Sequence, residues 1–337
     1  MQKGLLNVDG NLVYNVLNDL YILIILMSYS PIILFVYNRA WHAEQVLMAI
    51  HKNPEFQDSP LYIFCDGPRN DASTKELQAI KATRDIVKNQ RYWSKQTQVI
   101  ESDQNKGLAT SIIEGVSKVI KQHGQAIILE DDIVTSQGFL KFMNEALELY
   151  REDDRVMHIN AYLPKSPFQK NNFTATSFYS THMSCWGWAT WDTSWKLFNA
   201  DTGTLIEKLK GRKLEKTLDL NGYFHGTKQL AQNLNGEIKT WAIKWGTSIL
   251  LNNGICLNPS QSLVNNIGMD GSGVNSGKLF WDPFKTEVTN EIPISKLDNE
   301  DIEEGNRYFM KFYRYVNVKG IRRRLIKFYF YFFKSNQ

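Results

Sequence analysis

Glu130-Asp131-Asp132 follows directly on the apolar run Ala126–Leu129. Neighbouring carboxylates repel, so holding three together costs free energy unless a cation or a hydrogen-bond network offsets it. Oxygen-only clusters suit hard divalent ions such as Mg2+ or Mn2+, which keep waters and bind substrate phosphates. The C-terminal end of a strand is also where open α/β sheets bind ligands. The triplet therefore suits a metal–diphosphate site; the plain alternative is an acidic turn that solvates a strand end. Three more features fall at comparable positions: Asn38-Arg39 and Asp66-Gly67 each end an apolar run, and Lys106-Gly107 opens a helical one. A helix N-terminus beside a cation is a natural diphosphate cradle. Arg39 and Asp66, at adjacent strand ends, suit the reading of a uracil edge or a ribose.

The elements that must carry these residues follow a strand–helix rhythm of roughly thirty residues, the spacing of βαβ units. Strands are expected at Ile32–Val36, Leu61–Cys65, Gln98–Glu101, Ala126–Leu129 and Val156–Ile159, and helices at Ala43–His51, Ser73–Lys88 and Phe139–Tyr150. Leu108, Ile112, Val116 and Val119 recur at helical spacing, placing a further helix after Lys106-Gly107. Beyond residue 160 the rhythm fails. A polar loop (163–176) leads to the aromatic segment Ser184–Trp195, a charged helical stretch Leu205–Leu218, an apolar helix from Thr240 to Leu251, and a Gly-rich loop, Asn265–Gly273. The expected organisation is a lead-in (1–30), a nucleotide-binding α/β half (31–160), an acceptor and lid half of the same catalytic domain (161–300), and a basic aromatic tail (301–337).

The chain has 337 residues, 43% hydrophobic and 22% charged, the balance of a folded globular enzyme. A net charge of +4 is too mild to argue for nucleic acid. Aromatics reach 12%, nine of them Trp, and most such rings belong in a core. Cys65, Cys185 and Cys256 lie far apart without flanking His, which gives neither a disulfide framework nor a zinc site and points to a reducing, cytoplasmic compartment. The uncharged run Leu20–Tyr37 touches the lower limit of a membrane span. Pro31, Ser28 and Ser30 interrupt it, so a lead-in followed by a buried strand to Tyr37 is expected, with Met27 a candidate start. Small-residue cleavage signals do not follow it. Near the C-terminus Arg322-Arg323-Arg324, Lys327 and Lys334 bracket Phe328–Phe333, and no acid follows Glu304. Residues 319–334 are expected to bind an anionic membrane surface, at about 1 kcal/mol per basic residue. That places the protein peripherally on the inner face of the cytoplasmic membrane; the alternative is a basic helix docked on its own domain.

PIILFVYNRA, LYIFCDGP, NKGLATSIIEGV, IILEDDIVTSQGFLKFMNEAL, CWGWATW and NIGMDGSG together resemble bacterial GT-A glycosyltransferases related to the N-acetylglucosaminyltransferase I family, over residues 31 to about 280. The acidic segment with its following helix and CWGWATW are the most specific parts. The resemblance implies a Rossmann-like mixed sheet flanked by helices, and an inverting hexosyl or N-acetylhexosaminyl transfer. The donor would be a UDP-sugar, with Mn2+ (or Mg2+) as cofactor, and the acceptor a glycan or lipid-linked sugar of a surface polysaccharide. It makes Asp132 the direct metal ligand, Glu130 and Asp131 partners of the ribose or donor sugar, Arg39 and Asp66 the holders of the uracil ring, and Asn265–Gly273 a lid. One carboxylate suffices, because diphosphate oxygens and waters fill the other positions of the ion. Sugar stacking is expected on Trp186, Trp188 or Trp241. Where the eukaryotic relatives carry the catalytic acid after a Trp, this chain has Trp241-Ala242-Ile243, so Asp270 and Glu237 become the candidates for the base. Two rivals stand beside this reading. A sugar-1-phosphate nucleotidyltransferase is disfavoured because YNRAWHAEQ holds no Gly. A non-catalytic, membrane-associated binder of nucleotide sugars is motivated by the missing acid.

Overall fold

The computed structural model describes residues 29–165, 173, 175–272, 282–297 and 301–317. In chain order its elements are β1 (Ile32–Val36), α1 (Ala40–Ile50), β2 (Leu61–Cys65), α2 (Thr74–Val87), β3 (Thr97–Glu101), α3 (Leu108–His123), β4 (Gln125–Glu130), β5 (Ile133–Thr135), α4 (Phe139–Leu149) and β6 (Val156–Asn160). Then come β7 (Ser177–Ser180), β8 (Trp188–Trp191), α5 (Asp192–Trp195), α6 (Thr202–Gly211), α7 (Glu215–Leu218), α8 (Gly226–Leu234), α9 (Ala242–Leu251), β9 (Ile255–Pro259), β10 (Val264–Asn266) and α10 (Ile302–Val316). The chain is α/β: eight strands form one mixed sheet in the order β3-β2-β1-β4-β8-β6-β9-β7, and β5 pairs with β10 as a separate ribbon.

The aliphatic runs IILFV and QAIILE become strands because both faces are covered, which favours continuous apolar sequence over alternation. The pleat divides them between two cores. Ile32, Leu34, Ile127 and Leu129 face α1 and α4, whereas Ile33, Phe35, Ala126 and Ile128 face α3 and the indoles of Trp188, Trp241 and Trp245. β1 runs parallel to β2 and β4, and β2 parallel to β3, so their C-terminal ends fall at one edge of the sheet. Phe35 pairs with Glu130 and Val36 with Cys65, which puts the acidic triplet, Arg39 and Asp66 at that edge by register alone. α2 starts where Ser73 accepts a hydrogen bond from the Glu76 amide, the first half of a capping box.

The strands of the first half lie within a residue or two of their expected positions. The second half departs from expectation, since β7, β8 and β9 extend the same sheet. β8 is the WATW of the aromatic segment and pairs antiparallel with β4 and β6. Its four residues are too few for a period to declare itself, and they read as a stacking surface rather than a strand. β9 (ICLNP) ends in Pro259 and holds the buried polar Asn258, both poor strand signals. Leu205–Leu218 is two helices, α6 and α7, divided where Lys213 turns to φ 57°. α6 to α9 enclose a small core around Leu205, Leu209, Leu230 and Ile243.

α10 was not foreseen. Tyr308 and Phe309 pack it on Phe178, along the outer side of edge strand β7. Asn306 Oδ1 accepts from the Thr181 amide at 2.9 Å. A Cβ on Gly305 would stand 2.1 Å from the Tyr179 carbonyl oxygen, so only glycine lets the helix lie this close. Residues 1–28 of the expected lead-in (1–30) and the expected membrane-binding tail (319–334) lie outside the described residues. Among the described residues no helix is long and apolar enough to cross a membrane.

Candidate active site

β4 delivers Glu130, Asp131 and Asp132 to the middle of the sheet edge, and both aspartates are buried. Arg39, on the turn from β1 into α1, meets them. Its guanidinium pairs with Asp131 through Nη2, and through Nε at 3.3 Å, and Nη2 reaches Asp132 Oδ2 at 2.9 Å. Burial alone would lower the Arg39 pKa; the two carboxylates outweigh it and raise the value. One guanidinium faces three carboxylates. Burial, then Asp132 and Asp131, push Glu130 up to about 8, and burial likewise raises Asp131 against the pull of Arg39. The pocket is therefore short of positive charge. Arg39 Nη1 is buried without a partner among the described residues.

The Gly-rich loop covers this cluster. β10 pairs with β5 just after the triplet, and the Ile267 amide donates to the Asp132 carbonyl oxygen at 2.9 Å. A Cβ on Gly268 would stand 2.2 Å from Asp132 Oδ2, closer than any real contact, so the loop needs glycine there. Further along, Asp270 Oδ2 lies 3.2 Å from Nε2 of the buried His42 on α1. The Ser272 hydroxyl and amide hold Asp270 below the usual carboxylate range, so it is ionised and a weaker base than a free carboxylate. The structure thus brings Asp270 towards the triplet. It does not bring Glu237, which lies exposed after α8 on the amides of Gln232 and Asn235.

Asp66 has a different occupation from the expected one. Its carboxylate accepts from the amides of Gly67 (2.9 Å), Lys106 (2.8 Å) and Gly107 (2.9 Å). Gly107, at φ 77°, is the N-cap of α3 and has no side chain to cap with, so Asp66 supplies the acceptor from the neighbouring strand. The amides expected to cradle a diphosphate are taken, and a phosphate at Lys106-Gly107 would have to displace Asp66. The Lys106 ammonium lies outside, on Glu114 at 2.7 Å.

Trp188 and Trp241 are core residues, which corrects their expected role. They are 0% and 3% exposed and stack on each other with ring centroids 5.0 Å apart, leaving no face for a sugar. Trp186 is half-buried and lines a cavity of about 230 Å3. That cavity lies between Thr181–Trp186, α7 to α9 and α10, and Tyr162, Phe284 and Tyr313 add to its wall. It adjoins the acidic cluster by register: Ile128 pairs with Trp188 in the antiparallel β4–β8 ladder, so Cys185 and Trp186 of the wall lie beside the C-terminal end of β4.

Residues that sequence reasoning missed hold the Thr181–Trp186 segment. His158 Nε2 is 2.9 Å from Asn160 Oδ1 and 3.1 Å from the Ser184 carbonyl oxygen, while Nδ1 accepts from Trp245 Nε1 at 3.1 Å. Asn160 also accepts from the Ser184 amide and donates to the His182 carbonyl and to Asn258. His182 Nε2 meets the Tyr313 hydroxyl at 3.0 Å. Burial lowers both histidines to about 3, so they are neutral. The only available signal was polar residues at inward positions of apolar strands, which does not by itself tell a structural network from a site.

No group of three ligating side chains forms a cage for a metal among the described residues. An ion that takes one carboxylate and completes its shell with waters and diphosphate oxygens does fit. Asp132 carries that carboxylate, in a cluster where Arg39 is paired with both aspartates.

No family model and no curated protein matches this chain. Among solved structures, UDP-glucose pyrophosphorylase complexed with UDP-glucose is similar over 68% of this chain and 90% of its own, at 10% identity and a TM-score of 0.32. An active-site mutant of LgtC is similar over 87% of this chain and 99% of its own, at 9% identity and a TM-score of 0.35. Likeness of that degree assigns neither a family nor a chemistry.

Proposed function

We propose that the chain is a cation-dependent glycosyltransferase of GT-A type, moving a hexose or N-acetylhexosamine from a UDP-sugar to a glycan or lipid-linked acceptor. The observation that carries the reading is the acidic triplet at the C-terminal end of β4, with two buried aspartates whose one ion-pair partner among the described residues is Arg39. Bound Mn2+ or Mg2+ would neutralise the charge developing on the departing diphosphate. Asp132 would hold the ion. Arg39, with Nη1 unpartnered among the described residues, would turn from Asp131 and Asp132 towards the nucleotide once the ion supplied their compensation. Glu130 and Asp131 would take the ribose or sugar hydroxyls, and the β10 loop would exclude water from the reacting centre. Asp270, with His42 behind it, is the better placed of the two expected bases.

Calorimetry of UDP binding with and without Mn2+ tests the assignment. The expected result is tight binding only with the ion, and loss of that dependence in Asp132→Ala with the melting temperature within a few degrees of the parent. Cation-independent UDP binding, or normal transfer by Asp132→Ala, would overturn it. Release of UDP across an acceptor panel separates a transferase from a protein that only binds nucleotide sugars.

A further inference from the structure

The cavity beside the acidic cluster has a chemistry of its own. Among the described residues that line it there is no Asp, Glu, Lys or Arg. Its titratable members are uncharged near neutral pH: burial keeps His182 at about 3 and raises Cys185, Tyr162 and Tyr313. Aromatic faces dominate, with Trp186 set edge-on to Tyr162 at 4.5 Å and to Phe284 at 5.7 Å. Most polar groups in the wall are already engaged. Tyr162 donates to the Phe284 carbonyl oxygen and Tyr313 meets His182. Gln229 and Thr217 also line the cavity, and the side chain of neither makes a hydrogen bond among the described residues, where Gln229 is engaged only through its backbone carbonyl.

The volume, about 230 Å3, is below the roughly 300–1,000 Å3 of sites for drug-sized ligands. It suits one ring. A charged group here would lose its hydration with no counter-ion in the wall, a cost of several kcal/mol. An uncharged polyol ring has apolar C–H faces for the aromatics and hydroxyls for the two open polar groups.

Resting on the sugar-transfer reading above, we propose that this cavity binds a single uncharged pyranose, with Gln229 and Thr217 as its hydroxyl partners and Trp186 as its apolar wall. Uronic acids, sialic acids and sugar phosphates are excluded from it. The ring belongs either to the acceptor or to the donor, since the cavity adjoins the cluster through Cys185.

Gly246 provides a test that leaves the fold intact. It lies inside α9 and lines the cavity, and a Cβ there would meet only Met183 Cβ, at 3.8 Å. Gly246→Ala should raise helix stability by about 1 kcal/mol, while Gly246→Val extends further into the space. Gln229→Leu removes the open amide. Binding is measured by calorimetry with methyl glucoside, methyl galactoside, methyl N-acetylglucosaminide and methyl glucuronide, and separately with the corresponding UDP-sugars against UDP alone.

At least one neutral ring is expected to bind about tenfold more tightly than its uronate counterpart. Gly246→Val and Gln229→Leu should each weaken it about tenfold, the effect of roughly 1.4 kcal/mol. A loss confined to the methyl glycosides assigns the cavity to the acceptor, and a loss confined to the UDP-sugars assigns it to the donor. Equal affinity for glucuronide and glucoside, or unchanged affinities in Gly246→Val, would overturn the proposal. UDP itself should bind all variants equally. Absence of UDP binding in the parent would count against the transferase reading alone, because the glycoside measurements need no nucleotide.

Discussion

Asp132 and Gly268 are a matched pair. The carboxylate occupies the space a side chain at 268 would need, so loop and triplet can adopt this arrangement only with glycine. Gly268→Ala is expected to cost about 1–3 kcal/mol of stability and, under the proposed function, to weaken Mn2+-dependent UDP binding about tenfold by displacing Asp132. Urea unfolding and calorimetry on the same sample check both, and unchanged binding would show that Asp132 is not held by the loop. The triplet was legible because three adjacent acids after an apolar run need a compensating charge. Its partner Arg39 was legible only by position. Sequence reading assigned it to a base, whereas the structure pairs it with Asp131 and Asp132. Trp188 and Trp241 were misassigned because a residue type does not reveal on which side of a sheet an indole lies.

At the level of elements, Asp66 shows how one residue fits two readings until its partners are known. A carboxylate that satisfies the start of α3 should stabilise the fold whether or not a nucleotide binds. Asp66→Ala is expected to lower unfolding free energy by about 2 kcal/mol in the absence of any ligand. A pure base-binding role predicts no change in apo stability and a loss of UDP affinity only; denaturation curves with and without UDP distinguish the two. β1 to β4 could be placed from sequence because buried parallel strands are continuous apolar runs with helices at regular intervals. β7, β8 and β9 could not. They are short, they pair with strands far away in sequence, and their inward positions carry Asn258 and Ser180 as well as apolar residues.

For the molecule as a whole, the buried histidine network couples the sheet to the cavity wall and makes stability depend on pH. His158 and His182 titrate near 3 when folded against an ordinary 6.5. Between those values the unfolded chain binds protons that the folded chain refuses. Their contribution is therefore complete above about 6.5 and is lost as the pH falls towards 3. Over that window His182→Gln should reduce the slope of unfolding free energy against pH by up to one proton, roughly 1.4 kcal/mol per pH unit. Urea titrations of parent and variant at matched pH values measure the difference, and parallel slopes would refute the assignment. The cavity itself was invisible in the sequence, because its wall is assembled from stretches between Tyr162 and Tyr313 that only the fold brings together.

The seating of α10 against β7 bears on how the protein behaves at high concentration. An open strand edge is a template on which a neighbouring copy can add a strand of its own, and here a helix held flush by Gly305 shields it. Gly305→Val would lift that shield, while the acidic cluster on β4 stands four strands away in the sheet. The expected phenotype is a protein that turns cloudy on mild warming, with light scattering rising with its concentration.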